Sequence, residues 1–301
     1  MSLKKTVLCV GCTVIDFVTI NASFPEEDSD RRCLDGYWQR GGNASNVSTV
    51  LQVLGARVEF FGMLSRADGF RVLLEDLRKR DIGVRYCPQT DKDPPFSSVI
   101  LAQDTGSRTI VHCNKNYPYV TAEDFKRIDL SAFGWVHFEA RCPTETIKMI
   151  QAVVDYRSKC GDELIISLDF ETLYEENLNL CDLCDYVVLS KDLALKKGWK
   201  AAQEACLGLE RDLIQHRPAI ICPWGSDGAG CLDSNKNYRD MGAYKANKIV
   251  DTLGAGDSFM AGFIYATLYR LYSLSDAVDF ANQVASHKIT NFGYDHITEL
   301  K

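Results

Sequence analysis

The chain has 301 residues, 46% of them hydrophobic, with 34 Lys and Arg against 41 Asp and Glu and a net charge of −7. That apolar content suits a substantial buried core, either one large α/β domain or a core with a smaller appendage. An acidic balance without any basic cluster argues against nucleic acid or an acidic membrane as partner, and no stretch reaches the ~18 apolar residues of a membrane-spanning helix, so a small-molecule ligand and a cytoplasmic setting are expected.

Lys4-Lys5 precede the apolar run Val7 to Ile20, but Asp16 interrupts it and no small-residue cleavage site follows. The segment therefore reads as a first buried strand, Thr6 to Val10, rather than a signal peptide. Val14 to Ile20 and the region Arg31 to Leu34 offer further strands. Asn43 to Leu54 and Phe70 to Arg80 are amphipathic helices around a strand at Val58 to Phe61. Phe96 to Leu101 and Thr109 to Cys113 flank Gln103-Asp-Thr-Gly-Ser107, an antiparallel hairpin whose turn contains Gly106. Strands at Trp135 to Phe138, Leu164 to Leu168, Tyr186 to Leu189 and Ala219 to Cys222 then alternate with helical patterns at Thr144 to Lys159 and Ala201 to His216. An apolar, helix-compatible run from Phe259 to Leu271 follows. The alternation predicts an α/β fold: a three-layer, mostly parallel sheet with helices on both faces, plus a small antiparallel β lid. The core would comprise residues 1–12, 38–94 and 118–301, and the lid 13–37 and 95–117. Ligands of such sheets gather at the carboxyl ends of the strands.

Twelve cysteines are scattered along the chain. Cys9/Cys12 and Cys181/Cys184 have the C-x-x-C spacing of zinc and redox sites, but the pairs are far apart in sequence and histidines are few. Reduced thiols are the default.

No Gly-x-x-x-x-Gly-Lys-Ser/Thr loop is present, the first strand leads into Gly11-Cys-Thr13 rather than a dinucleotide-binding turn, and no Gly-x-Ser-x-Gly elbow occurs. The phosphate-binding candidate is Asp251-Thr-Leu-Gly-Ala-Gly-Asp257-Ser-Phe259. Gly254 and Gly256 flank Ala255 immediately before a helix, whose unpaired N–H groups and positive dipole end favour an anion. The competing reading is a glycine turn with Asp257 as N-cap. A second cluster, Trp38-Gln-Arg-Gly41-Gly42-Asn43-Ala-Ser-Asn46, sets two carboxamides three residues apart on one helical face, suited to a polyol. Capping would explain Asn43 but not Asn46, which loses stability inside a helix. Asp16 is a carboxylate inside an apolar strand, costly unless sugar hydroxyls or backbone N–H groups partner it.

On these residues the sequence resembles the ribokinase-like carbohydrate kinases. The amino-side signature matches Gly41-Gly42-Asn43-Ala-Ser-Asn46 continuing to Gly55 and Gly62, and the carboxy-side signature matches Asp251 to Phe259. Tyr37 to Asn46, Gly106-Ser-Arg108-Thr-Ile110 and Ser190-Lys-Asp192 are most similar to the members that convert fructose to fructose 1-phosphate. The resemblance implies that Asp257 is the general base and that the Gly254, Ala255 and Gly256 amides stabilise the transferred phosphoryl group. It assigns the sugar to Asp16, Gly42, Asn43 and Asn46, and the ATP phosphates to Arg108. Gly225, Ser226, Asp227 and Gly228 would form the nucleotide loop, with Asn282 near the adenine. ATP and Mg²⁺ are the implied cofactors, with a monovalent cation, K⁺, at main-chain carbonyls around Asp251 and Leu253. A homodimer clasped through the lid is also implied, with Asp28 completing the partner's sugar site. Without the resemblance, Glu26, Glu27 and Asp28 read as a solvated loop.

One departure stands out. The Asn and Glu that many members carry after a core strand, linked to Mg²⁺ handling, are absent from Val188-Leu-Ser190-Lys-Asp-Leu193, leaving the metal ligands unassigned and Glu139 and Asp169 as substitutes at strand ends. Two alternatives stay open: a kinase of another small sugar or a nucleoside, and a non-catalytic sugar- or nucleotide-binding homologue.

Overall fold

The computed structural model describes residues 6–161, 163–214 and 218–301; the Lys4-Lys5 pair and the end of the helical pattern at His216 lie outside them. Chain order begins with β1 (Thr6–Val10), β2 (Val14–Asn21), β3 (Asp35–Gly41), α1 (Asn43–Val53), β4 (Val58–Phe61), β5 (Leu64–Ser65), α2 (Arg71–Lys79) and β6 (Gln89–Thr90). It continues with β7 (Phe96–Ala102), β8 (Ser107–Cys113), α3 (Ala122–Phe125), β9 (Phe133–Glu139), α4 (Pro143–Cys160), β10 (Ile165–Phe170), α5 (Tyr174–Cys181) and β11 (Tyr186–Leu189). Last come α6 (Lys191–Lys196), α7 (Ala202–Asp212), β12 (Ala219–Pro223), β13 (Ala229–Leu232), β14 (Tyr238–Met241), α8 (Ala255–Tyr269) and α9 (Leu274–Lys288).

Eight strands form the main sheet in the order β14-β13-β12-β11-β10-β9-β1-β4. Every pair from β12 to β4 is parallel, and β12, β13 and β14 pair antiparallel at one edge. Burial on both faces is why the parallel strands are mostly apolar: all seven residues of β9 are buried, and only His137 and Glu139 among them are polar. One face packs Val7, Phe60, Trp135 and Phe263 beneath α1, α8 and α9, and the other packs Leu8, Val136, Phe138 and Ile150. Trp135 stacks on Tyr186 with centroids 5.3 Å apart, and Phe263 closes edge-on against both rings. Truncating such an aromatic side chain costs about 3–5 kcal/mol.

The lid is a second sheet, in the order β3-β2-β7-β8. Its outer pairs are antiparallel, while β2 and β7 run parallel. Both strands start at the core, where Ile15 N donates to Pro95 O, and residues 42–95 supply the long crossover that a parallel pair requires. The region Arg31 to Leu34 is not a strand, contrary to expectation. It is exposed, Arg31 pairs with Glu26, and the ladder begins only at Asp35. Strand β3 then carries the lid sheet to Gly41.

Candidate active site

The carboxyl ends of β1, β9, β10 and β12 and the starts of α1 and α8 lie along one edge of the main sheet. At Gly41 an added Cβ would stand 2.0 Å from Asp16 Oδ2, and at Gly42 it would stand 2.3 Å from the Cys12 carbonyl. Gly42 also has φ 95°, so only glycines let β3 turn into α1 directly beneath Asp16. Buried Arg40 pins that helix start, donating to Asp76 at 2.8 Å, to Ser45 O at 3.0 Å and to Thr49 Oγ1 at 2.5 Å.

Neither capping alternative survives. Gly42 is the N-cap of α1, so the Asn43 amide is directed elsewhere: Nδ2 donates to Asp169 Oδ2 at 3.1 Å and Oδ1 accepts from Arg141 at 3.3 Å. Asn46 Nδ2 donates to Asp257 Oδ2 at 2.7 Å. Gly254, with φ 75°, is the N-cap of α8, and no side chain caps that helix. Asp257 sits in its first turn, turned away from capping and held by Asn46.

Four of the carboxyl groups gathered here resist ionisation. Burial and the charge of Glu171 push Asp257 up to about 7, with the Asn46 hydrogen bond pulling the other way. Burial pushes Asp16 up to about 6 against hydrogen bonds from Ser97 and Gln39. Asp169 is held well above the usual carboxylate range by burial and by Glu171, and Glu171 is raised in turn. Glu139 has another occupation. Its Oε2 accepts from Cys12 N and Ala44 N, both at 3.1 Å, and its Oε1 accepts from Arg141 at 2.6 Å, so it clamps the first loop to α1.

A cavity of about 380 Å³ opens at this point, with Asp16, Gly42, Asn43, Asn46, Gly254, Gly256 and Asp257 in its wall. The lid roofs it. Register places Asp16, Ser97 and His112 in one row across three strands, and all three line the cavity. Arg108, on β8, lines it too and donates to Thr252 Oγ1 at 3.3 Å.

The expected nucleotide loop lies farther along the same edge, after β12, and does not line this cavity. Gly225 has φ 70° and Gly228 φ 92°, a Cβ on Gly228 would stand 2.0 Å from Met241 O, and Ser226 and Asp227 are exposed. Asn282 is buried on α9 and donates to Met241 O at 3.1 Å, tying that helix to the exit of β14. Asp28 is exposed in the loop before β3 with φ 58°, outside its own chain's cavity.

Several residues of the edge escaped the sequence reading. Glu171 is signalled by Asp169-Phe-Glu171, alternate carboxylates at a strand end, and Arg141 by its spacing from Glu139. Asp251, at the head of the turn, pairs with Lys288, which nothing local distinguishes from an ordinary lysine in a last helical turn. The twelve cysteines are all unpaired, and burial raises the thiols of Cys9, Cys181 and Cys184. Among the described residues no group of three or more His, Cys, Asp or Glu is arranged to hold a metal ion.

The sequence model for "pfkB family carbohydrate kinase" matches residues 4–299. The chain belongs to this family. It is 38% identical over 297 residues to ketohexokinase of Mus musculus, covering 98% of this chain and 99% of that one. It is 25% identical over 264 residues to a fructosamine kinase of Bacillus subtilis, covering 86% and 88% of the two chains. Among solved structures, ribokinase from Giardia lamblia superposes with a TM-score of 0.82 at 15% identity over 98% of this chain and 96% of that chain. Arabidopsis thaliana ribokinase complexed with ribose and ATP superposes with a TM-score of 0.77 at 20% identity, over 97% and 94% of the chains. The fold is therefore ribokinase-like, and the kinase is an ATP-dependent phosphotransferase acting on a sugar.

Proposed function

We propose that this kinase phosphorylates the 1-hydroxyl of D-fructose, giving fructose 1-phosphate. The observation that carries the reading is Asp257, held by Asn46 at 2.7 Å in the wall of a cavity also lined by Asp16, Gly42 and Asn43, in a chain 38% identical to a ketohexokinase over nearly its whole length. A carboxyl group raised to about 7 is matched to neutral pH as a base for an alcohol proton. Asp257 takes that proton while the hydroxyl oxygen attacks the γ-phosphorus of ATP and ADP leaves. The first-turn amides at Gly254, Ala255 and Gly256 face charge developing on the phosphoryl oxygens. Asp16, Asn43 and Asn46 take the other hydroxyls, and Gly42 meets the sugar with its main chain. Arg108 takes the ATP phosphates through its planar guanidinium. Gly225 to Gly228 and Asn282 form the nucleotide side.

Mg²⁺ would be held mainly by the ATP phosphate oxygens and water, near the buried Asp169 and Glu171 carboxyl groups that burial holds above the usual carboxylate range. It would supply neutralisation of the phosphate charge. The lid, whose sheet runs on through β3 to Gly41, clasps a second copy and delivers Asp28 to the partner's sugar. This is supported by the exposed row Trp38, Phe17 and Val111 on the lid's outer face. Twelve unpaired cysteines accord with a cytoplasmic protein.

The test is ADP release with fructose, tagatose, ribose and adenosine. Fructose is expected to give the highest kcat/KM; turnover of ribose or adenosine with none of the ketoses would overturn the assignment.

A further inference from the structure

Asp251 opens the phosphate-binding turn, yet it faces away from the cavity, and its partner is a lysine sealed inside the protein. Lys288 and Asp251 have side chains 0% and 1% exposed. The Lys288 ammonium donates to Asp251 Oδ2 at 2.6 Å and to the Asp251 main-chain carbonyl at 2.9 Å. The ring of Tyr294 lies 5.6 Å from it, and the Tyr294 hydroxyl lies where a Cβ on Gly254 would be, at 2.1 Å. The second carboxylate oxygen, Asp251 Oδ1, accepts from Leu253 N at 2.9 Å. One positive charge, one carboxylate and one backbone N–H thus fix the turn from behind, immediately before Gly254.

A lysine in the last turn of a helix serves the dipole equally well with its head in water, and lysines ordinarily extend to keep it there. Burying this ammonium costs several kcal/mol before pairing, so helix stability does not account for it. Its two oxygen partners are a carbonyl and a carboxylate of the same residue, a donor set that also suits a potassium ion. Potassium was the expected occupant of the Asp251 and Leu253 main chain, and the Asp251 oxygens are already taken.

We infer that Lys288 is a built-in monovalent cation: its ammonium fills the place of a dissociable K⁺ behind the anion hole, so this kinase holds its phosphate-binding turn without one. Lys288 is a positioning residue, acting through Asp251 and the Leu253 N–H on the amides that meet the phosphoryl group. The inference rests on the phosphotransferase activity of the family and is independent of which sugar is used.

The experiment compares the intact enzyme with Lys288→Ala and Lys288→Met at constant ionic strength, exchanging tetramethylammonium chloride for KCl. Turnover and melting temperature of the unaltered enzyme are expected to change by less than about twofold and about one degree, respectively, across the series. Both variants should lose at least about tenfold in kcat, with a smaller change in sugar KM, and recover saturably with K⁺ or NH₄⁺ but not with tetramethylammonium. Their melting temperatures should rise with K⁺ in parallel. An unaltered enzyme that needs K⁺ for turnover, or folded variants that no small monovalent cation restores or stabilises, would overturn the inference. Should both variants fail to fold, the K⁺ series on the unaltered enzyme decides. Should no sugar be turned over, the fructose reading falls, while the melting series still tests Lys288.

Discussion

The two sheets of this kinase distribute polarity differently. The main sheet hides both faces, so its parallel strands are mostly apolar on each side. The lid sheet turns Asp16, Ser97 and His112 toward the cavity and Phe17, Trp38 and Val111 toward solvent, at 44%, 53% and 62% exposure. A sheet with one wet face normally buries its apolar side and exposes its polar one. Here the inner face joins a polar row over the cavity to a buried apolar cluster of Val18, Ile20, Val99 and Leu101 against Leu253, while the outer face leaves Phe17, Trp38 and Val111 in solvent, which suits a hydrophilic ligand under one end of the lid and another surface outside. The main sheet specifies the fold; the lid is shaped for what it binds.

The sharpest way to break this contrast is at the base. Asp257→Asn is expected to lower kcat by at least about 10²-fold while leaving nucleotide affinity nearly intact, measured by steady-state kinetics and calorimetry. The same substitution should raise the melting temperature. A carboxyl whose folded pKa lies above its unfolded value weakens the fold once it ionises, so the gain should be larger at pH 8 than at pH 5. The lid's inner face comes next: Asp16→Ala should reduce kcat/KM for the sugar by roughly 10–10²-fold, chiefly through KM, because hydrogen bonds to a buried charged group are lost. The pH profile follows. With Asp257 at about 7, kcat/KM should fall about tenfold per unit below that pH as the base becomes protonated, and Asp257→Asn should abolish that limb. The smallest effects belong to the outer face. Trp38→Glu should shift sedimentation from dimer to monomer, and Asp28→Ala should raise the sugar KM about severalfold with the dimer retained. A Trp38→Glu protein that sediments as the unaltered one does would separate the apolar row from assembly.

Legibility followed the same divide. Strands Thr6–Val10, Val58–Phe61 and Tyr186–Leu189 were found at their observed bounds because burial on both faces leaves a mainly apolar run. Strands β13 and β14 were missed: they are four residues each, and Tyr238-Arg-Asp-Met carries the exposed polar side of an edge strand. In the site, Asp16, Asn43, Asn46 and Asp257 stood out as polar groups where apolar ones belong. What they do depends on partners no local pattern reveals, since Asn46 and Asp257 meet across 211 positions. Lys288 stayed invisible for the same reason, its burial arising from a turn far upstream in sequence.

The central claim is a base at Asp257 serving the 1-hydroxyl of a ketose beneath the lid. Carbon-13 and phosphorus-31 NMR of the product formed from ATP and fructose labelled at C1 tests it most directly. Phosphorus coupling to the labelled carbon is expected, lost along with product in Asp257→Asn. Phosphate on any other carbon, or undiminished product from the variant, would contradict it.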